Sequence, residues 1–453
     1  MLTSLAMSEQ VRPQNRYAKW QTFSGFRFPE VPIRNLGLFI LLLSWHICSA
    51  NASRVCDVQS YGAKGNGVSS DTQAIQKAID VCRSKGGGIV RLRKGIFLTG
   101  PIELKSHITL EIDKGATLLG SQNMADYPPA EELQQQSVTP LIRASHASFI
   151  TIRGGGVING NGQPWWKAVY AHDASKFTAA QRPRLILLDH CRHVLIQNIT
   201  IENSASWQIV PYDSDDVVIR HSRILAPAHS PNTDGIDPFS SHHVTISHVM
   251  IDTGDDNIAI KSGQPDSQGP NSPSTYIRVR DCVFRHGHGL SVGSEVSGGV
   301  QHVYVSNLRF IGTRHGVRIK SGRDRGGDIS DLVFHNLKMT DVGIVLVITG
   351  YYPKIPLHDT AKPMTRLTPR FHNITIVHLT ATGAKSAGLI EGLPESPIRN
   401  LRLQDIHIQA QTGMTIRYAT LTAQNLFIHA ARGKTLTLLA GARLISDPQD
   451  ADR

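Results

Sequence analysis

The chain has 453 residues, enough for two or three ordinary domains or for one extended repeat array. Charged residues make up only 18% of it, and its formal net charge is +11. No Lys/Arg-rich block or basic helix carries that charge, which argues against nucleic acid and leaves an anionic surface, an acidic polysaccharide or a plain solubility charge.

Residues 1–52 read as a leader. The apolar run from Leu36 to Cys48 is too short to span a membrane, follows a basic Arg34 and precedes the small residues Ser49, Ala50 and Ala52. That pattern predicts a signal peptide cut after Ala50 or Ala52, with an uncleaved anchor as the alternative. The protein is therefore expected to be secreted or periplasmic, with no stable membrane association after cleavage. Cys48 lies in this leader. Cys56, Cys82, Cys191 and Cys282 have no metal-ligand spacing; they are expected as buried thiols, with a Cys56–Cys82 disulfide as the other reading. One helix is predicted, from Thr72 to Ser84. Asp71 is its candidate N-cap and Gly86-Gly87-Gly88 its end, and it would cover the open end of a solenoid. Gly154-Gly155-Gly156 lacks the Lys-Ser/Thr of a phosphate loop and reads as a turn.

From residue 194 onward one eight-residue pattern recurs, starting at Val194, Val217, Val244, Ile277, Val303, Leu332, Ile374 and Leu401. Positions 1, 3, 6 and 8 are mostly apolar, which is strand alternation with one bend. The starts are 23 to 42 residues apart, a regular floor with loop insertions. This predicts an all-β parallel β-helix over residues 53–448, with 449–453 as a tail. Asn198 and Asn373 fit glycosylation sequences but are read as strand residues.

A second strand type follows the first. Four copies align without gaps, beginning at Asp234, Asp256, His288 and His315. Their third and fifth residues are apolar and point inward, so Asp237, Ala259, Ser291 and Arg318, then Phe239, Lys261, Gly293 and Lys320, point outward. Asp234, Asp256 and His288 should stack on successive coils, with Asp255 beside them and Arg318 and Lys320 further along the same face. Solenoid stability does not require three acids beside cations, so chemistry is the better explanation. Asp237, His242, His243 and His315 are read as turn-capping residues.

These segments resemble the polygalacturonase family of glycoside hydrolases, bacterial type. The resemblance rests on Asn232-Thr233-Asp234-Gly235, Gly254-Asp255-Asp256, Gly287-His288-Gly289 and Arg318-Ile319-Lys320, in order. It extends over Tyr61 to Cys82, Gly155 to Trp166 and Tyr351-Tyr352-Pro353, and fades after about residue 410. Asn257 departs from it, since many members have Cys there. The resemblance implies a right-handed β-helix that hydrolyses α-1,4-linked galacturonate with inversion. It implies Asp255 as general acid, Asp234 and Asp256 as the residues that hold and deprotonate the water, and His288 as support for the acid. Asn232, Arg318, Lys320 and Tyr352 (or Tyr351) would bind substrate. No metal or cofactor is implied, the partner is an acidic polysaccharide (pectin or polygalacturonate), and a monomer is expected.

The residues suit that chemistry independently. Glycoside cleavage needs an acid at the leaving oxygen and a base across the ring, and cations suit an anionic sugar. Two alternatives stay open: a pectate-lyase-type enzyme using calcium bound at the acids, and a non-catalytic carbohydrate-binding solenoid.

Overall fold

The computed structural model describes residues 54–132, 135–171, 181–265 and 271–446. The leader with its cleavage sites and Cys48, and the tail at 449–453, lie outside the described residues.

The described chain winds as a parallel β-helix. The first residues of the repeats fall into one column: Val194 pairs with Val217, Val217 with Val244, Val303 with Leu332, Leu332 with Ile374, and Ile374 with Leu401. Nearly all the apolar positions of the pattern are buried in one continuous core. Burying a Val or Ile contributes about 1.5–3 kcal/mol, so each added coil brings its own share of core. Inside the coils, Phe284 and Phe310 meet edge to face with ring centroids 5.1 Å apart.

The bend in each repeat has a uniform cause. The fifth residues, Asn198, His221, His248, Asp281, Asn307, Asn336, His378 and Asp405, all have φ between +49° and +56°. The residues just before each repeat lie in the same region, with φ between +49° and +57°, including Asp216, His243 and Asn373 at +54°, +51° and +55°. Asn, Asp and His tolerate this left-handed region better than other side chains. Their side chains then bond from coil to coil: Asn336 donates to Asn307 at 2.7 Å, and Asn307 to Asp281 at 2.9 Å. Asn198 is therefore a corner residue between two strands, whereas Asn373 lies within the strand Arg370–Glu391, at a left-handed kink. His242 and His243 lie at another such corner, bonded to Thr275 and Asp215 at 2.8 Å each.

Helix α1 (Thr72–Ser84) packs Ile75, Ala78, Ile79 and Cys82 on the first coil. Asp71 stands at its N-cap but makes no side-chain cap bond. Its carboxylate accepts instead from the backbone N–H groups of Lys64 and Gly65, at 2.6 and 3.0 Å, which fixes the preceding glycine-rich loop. A second helix, α2 (Gln163–Tyr170), is absent from the sequence-based expectation because it is only two turns long. It buries Trp165 and Trp166. Cys56, Cys82, Cys191 and Cys282 are all free and buried, and burial pushes the Cys82 thiol up to about 12.

The face that carries the cleft is a short-stranded sheet. Residues 102–104, 142–145, 186–189 and 209–212 pair in parallel. Single bridges extend the row through Ile236 to Ile258, and regular pairing continues to 290–292, 315–320 and 344–349.

Candidate active site

Register on this face brings the distant acids together. Ile236 bridges Ile258, Ile258 pairs with Leu290, and Leu290 with Val317. Counting back two residues sets Asp234, Asp256, His288 and His315 side by side on four coils, about 4.8 Å apart. The same count puts Asp237, Ala259, Ser291 and Arg318 in a second, outward column. Lys261, Gly293 and Lys320 form part of a third.

The turns before these strands are fixed locally. The Thr233 hydroxyl accepts from Gly254 N–H at 3.1 Å and donates to the Ser230 carbonyl at 3.1 Å, tying the Asp234 turn to the Asp255 turn. Gly235 has no room for a side chain, since a Cβ there would lie 2.5 Å from the Asn257 carbonyl oxygen. Gly289, at φ +80°, presses on the His315 carbonyl. Asn257 is fully buried. Its amide donates to the carbonyls of Ile251 and Arg285 at 3.3 and 3.4 Å, and its oxygen accepts from Gly289 N–H at 2.9 Å. The residue that departs from the family pattern thus pins the paired acids to the loop that carries His288.

The three acids sit in unlike surroundings. Asp256 is 2% exposed and meets three donors. On Oδ1 it accepts from Arg318 Nη2 at 2.5 Å and Ser291 Oγ at 2.8 Å, and on Oδ2 from Lys320 Nζ at 3.0 Å. Burial alone would raise its pKa, but Lys320, Arg318 and Lys261 together outweigh burial and hold it well below the usual carboxylate range. Asp234 is 3% exposed and its Oδ1 has no hydrogen-bond partner among the described residues. Burial first, then the charges of Asp237 and Asp255, push it well above that range. Asp255 is the accessible one, with a side chain 22% exposed. Its Oδ1 accepts from its neighbour's N–H at 2.8 Å and lies 2.9 Å from His288 Nδ1. Its Oδ2 faces the Asn232 amide at 3.5 Å. Asn232 is held in turn by Arg182, whose Nη2 donates to Asn232 Oδ1 at 2.6 Å.

Tyr352 lies beside the cations, with the Lys320 ammonium 5.2 Å from its ring centre. Every residue expected at the site from sequence is thus near it, but Arg318 and Lys320 point first at Asp256. Two participants were not expected. Arg182, fully buried, anchors Asn232; no motif marks it. Asp237 caps no turn: it is fully buried, both its oxygens lack a hydrogen-bond partner among the described residues, and burial pushes its pKa well up. His315 stands at the end of the acid column with its Nδ1 unpartnered among the described residues, and burial, Arg318 and His288 lower its pKa to about 3. Oxygens of Asp255 and Asp256 and a His288 nitrogen lie within 4.8 Å of one another, close enough to share a cation. Arg318, Lys320 and Ser291 already occupy the Asp256 oxygens, so the donor set fits a metal poorly.

The sequence profile of glycosyl hydrolases family 28 matches residues 82–425. The chain belongs to that family. It is a glycosidase on the parallel β-helix of family 28. An endo-polygalacturonase of Pectobacterium carotovorum subsp. carotovorum is 34% identical over 304 residues, spanning 63% of this chain and 73% of that one. A probable polygalacturonase of Vitis vinifera is 30% identical over 377 residues, 80% of this chain and 75% of that one. The crystal structure of a hyperthermoactive exopolygalacturonase from Thermotoga maritima superposes with a TM-score of 0.75 at 28% identity, covering 84% of this chain and 93% of that one. All the clustered site residues fall inside the family 28 match.

Proposed function

We propose that this family 28 enzyme hydrolyses the α-1,4 linkages of polygalacturonate, with inversion, through Asp255, Asp234 and Asp256. The observation that carries the reading is the division of labour among the acids. One is buried and held ionised by two cations, one is buried and pushed toward its neutral form, and one reaches the cleft. Environments that drive neighbouring carboxyls apart in this way suit acid–base catalysis.

Asp255 is the general acid, delivering its proton from Oδ2 to the leaving oxygen. His288 and the Asp256 N–H hold its other oxygen and so aim it. Asp256 and Asp234 hold the attacking water, and Asp256, the ionised member, takes up its proton. Asn232, Arg318, Lys320 and Tyr352 bind the sugar and its carboxylate, and Arg318 and Lys320 also set the charge of Asp256.

Oxygens of Asp255 and Asp256 lie within 4.8 Å of one another, closer than the roughly 6.5–9.5 Å usual between the carboxyls of inverting enzymes. Distance alone would suggest a covalent route through Asp256. Both its oxygens are tied to Ser291, Arg318 and Lys320, however, which holds the carboxylate back in the cleft floor and favours attack by a water held beside it. The leader fits delivery of the enzyme to the periplasm or exterior, where plant cell-wall pectin would be its substrate. Among the described residues no helix is long and apolar enough to cross a membrane.

Asp255→Asn tests the assignment. It should lower kcat on polygalacturonate by about a thousandfold or more while leaving substrate affinity nearly unchanged. Turnover close to that of the parent enzyme would remove Asp255 from the acid role.

A further inference from the structure

The two directions away from the acids differ in kind. Ile186 pairs with Ile209, and Ile209 bridges Ile236, so Arg184 and Trp207 precede Asp234 in the acid column on successive coils. The Arg184 guanidinium lies 5.1 Å and the Lys261 ammonium 4.7 Å from the Trp207 ring centre. The indole therefore reaches from the acid column across to the column of Lys261. Arg184 is 2% exposed and donates from Nη1 to Ser137 Oγ at 3.1 Å, on the hairpin of Pro129–Glu132 and Gln135–Val138.

Beneath and behind Trp207, the outward side chains are sealed. Leu187 and Val210 are wholly buried and Tyr212 and Phe239 nearly so, in one apolar cluster against which Trp207 packs. A carboxylate-bearing sugar finds no partner there, and desolvating its charge on such a surface would be costly. On the other side of the acids the face carries Arg318 and Lys320, both turned toward Asp256. Past Lys320, with Arg325 5.4 Å from the Tyr352 ring, it continues into a depression of about 380 Å³ lined by Arg323, Asp324, Tyr351, Tyr352, Lys354 and Lys362, where Arg323 is paired with Asp359 and Glu395.

We propose that Trp207 and Arg184, braced by the hairpin, form a wall that makes the cleft blind one coil before Asp234, so that the enzyme attacks chain ends and releases single galacturonate units. One coil is only about 4.8 Å centre to centre, so the wall stands directly beside the acids and leaves no room for a second sugar on that side. The proposal rests on the hydrolase reading above. Each turnover breaks the C1–O bond joining the terminal unit to its neighbour; the water's hydroxyl goes to the anomeric carbon and a proton to the leaving oxygen. The depression, through Lys354 and Lys362, carries the carboxylates of the rest of the polymer.

The test is the earliest product pattern of the full-length enzyme on a hexagalacturonide labelled at its reducing end. Expected is free galacturonate from the first time point, with a labelled product one unit shorter than the substrate; labelled monomer appearing first would place the reducing end against the wall and still support end attack. Labelled fragments from mid-chain cuts at that stage would overturn the proposal while leaving the hydrolase reading intact, whereas no hydrolysis would overturn both. Trp207→Ala should open the wall and add cuts further from the end. Unchanged monomer release by a folded Trp207→Ala variant would overturn the role of the wall, and if that variant does not fold the parent product pattern still decides end attack.

Discussion

At Asp256 the competing forces can be ranked. Burial opposes its charge, but Lys320 and Arg318 in direct contact more than compensate. Removing Lys320 therefore does two things: it deletes a contact for the sugar, and it lets the Asp256 pKa rise. For Lys320→Ala the acid limb of the kcat profile should move upward on the order of one pH unit or more, alongside a higher KM. A higher KM with an unmoved acid limb would mean Lys320 serves substrate alone. Asp237 presents the opposite case. Its folded pKa is raised by burial above the ordinary 3.8, with Lys261 opposing. Its contribution to stability is thus fully present below that ordinary value and is lost as pH rises through the folded value. Asp237→Asn avoids the loss, so its melting temperature should exceed that of the parent by a margin that widens from pH 4 to pH 8. A margin that stays flat or reverses would show Asp237 ionised against Lys261.

At the scale of the strand and coil, alternation made most of the site legible. Period two assigned inward and outward residues correctly from Asp234 to Lys320, and aligning four strands without gaps gave the observed columns. A solenoid permits this because neighbouring coils are also neighbours in sequence, so register follows from the repeat itself. What the sequence did not reveal arises from side chains crossing between coils. Arg182 reaches Asn232 over fifty positions, and Trp207 lies across its own face; neither has a periodic signature. Asp71 looked like a simple cap because Asp before a helix usually is one, yet two closer backbone donors claim its carboxylate. The corner residues were missed because their left-handed backbone is a property of the stacked turn. The inner stack makes a separate prediction. Phe310 is wholly buried against Phe284. Phe310→Ala should destabilise the fold by about 3–5 kcal/mol, read from the shift in its denaturant midpoint. A loss below about 1 kcal/mol would mean that the coil collapses into the gap, unlike a close-packed core.

Over the whole molecule, the β-helix turns sequence separation into adjacency. Residues from Arg182 to Tyr352 meet on one face because each coil returns the chain to the same side. Loops inserted between strands can then reshape the cleft without disturbing the column that holds the acids. The formal charge of +11 suits a polyanionic substrate, and of the cations on Asp256, Lys320 is buried and Arg318 only 13% exposed, which limits the effect of salt on them. The central claim is that a water held by Asp234 and Asp256 displaces a leaving group protonated by Asp255. Proton NMR of the first product formed from oligogalacturonide, followed before mutarotation, tests it most directly. The account predicts that the new reducing end appears first as the β-anomer and that no unsaturated, ultraviolet-absorbing product forms. An α-anomer appearing first, or an unsaturated product formed only with calcium, would contradict it.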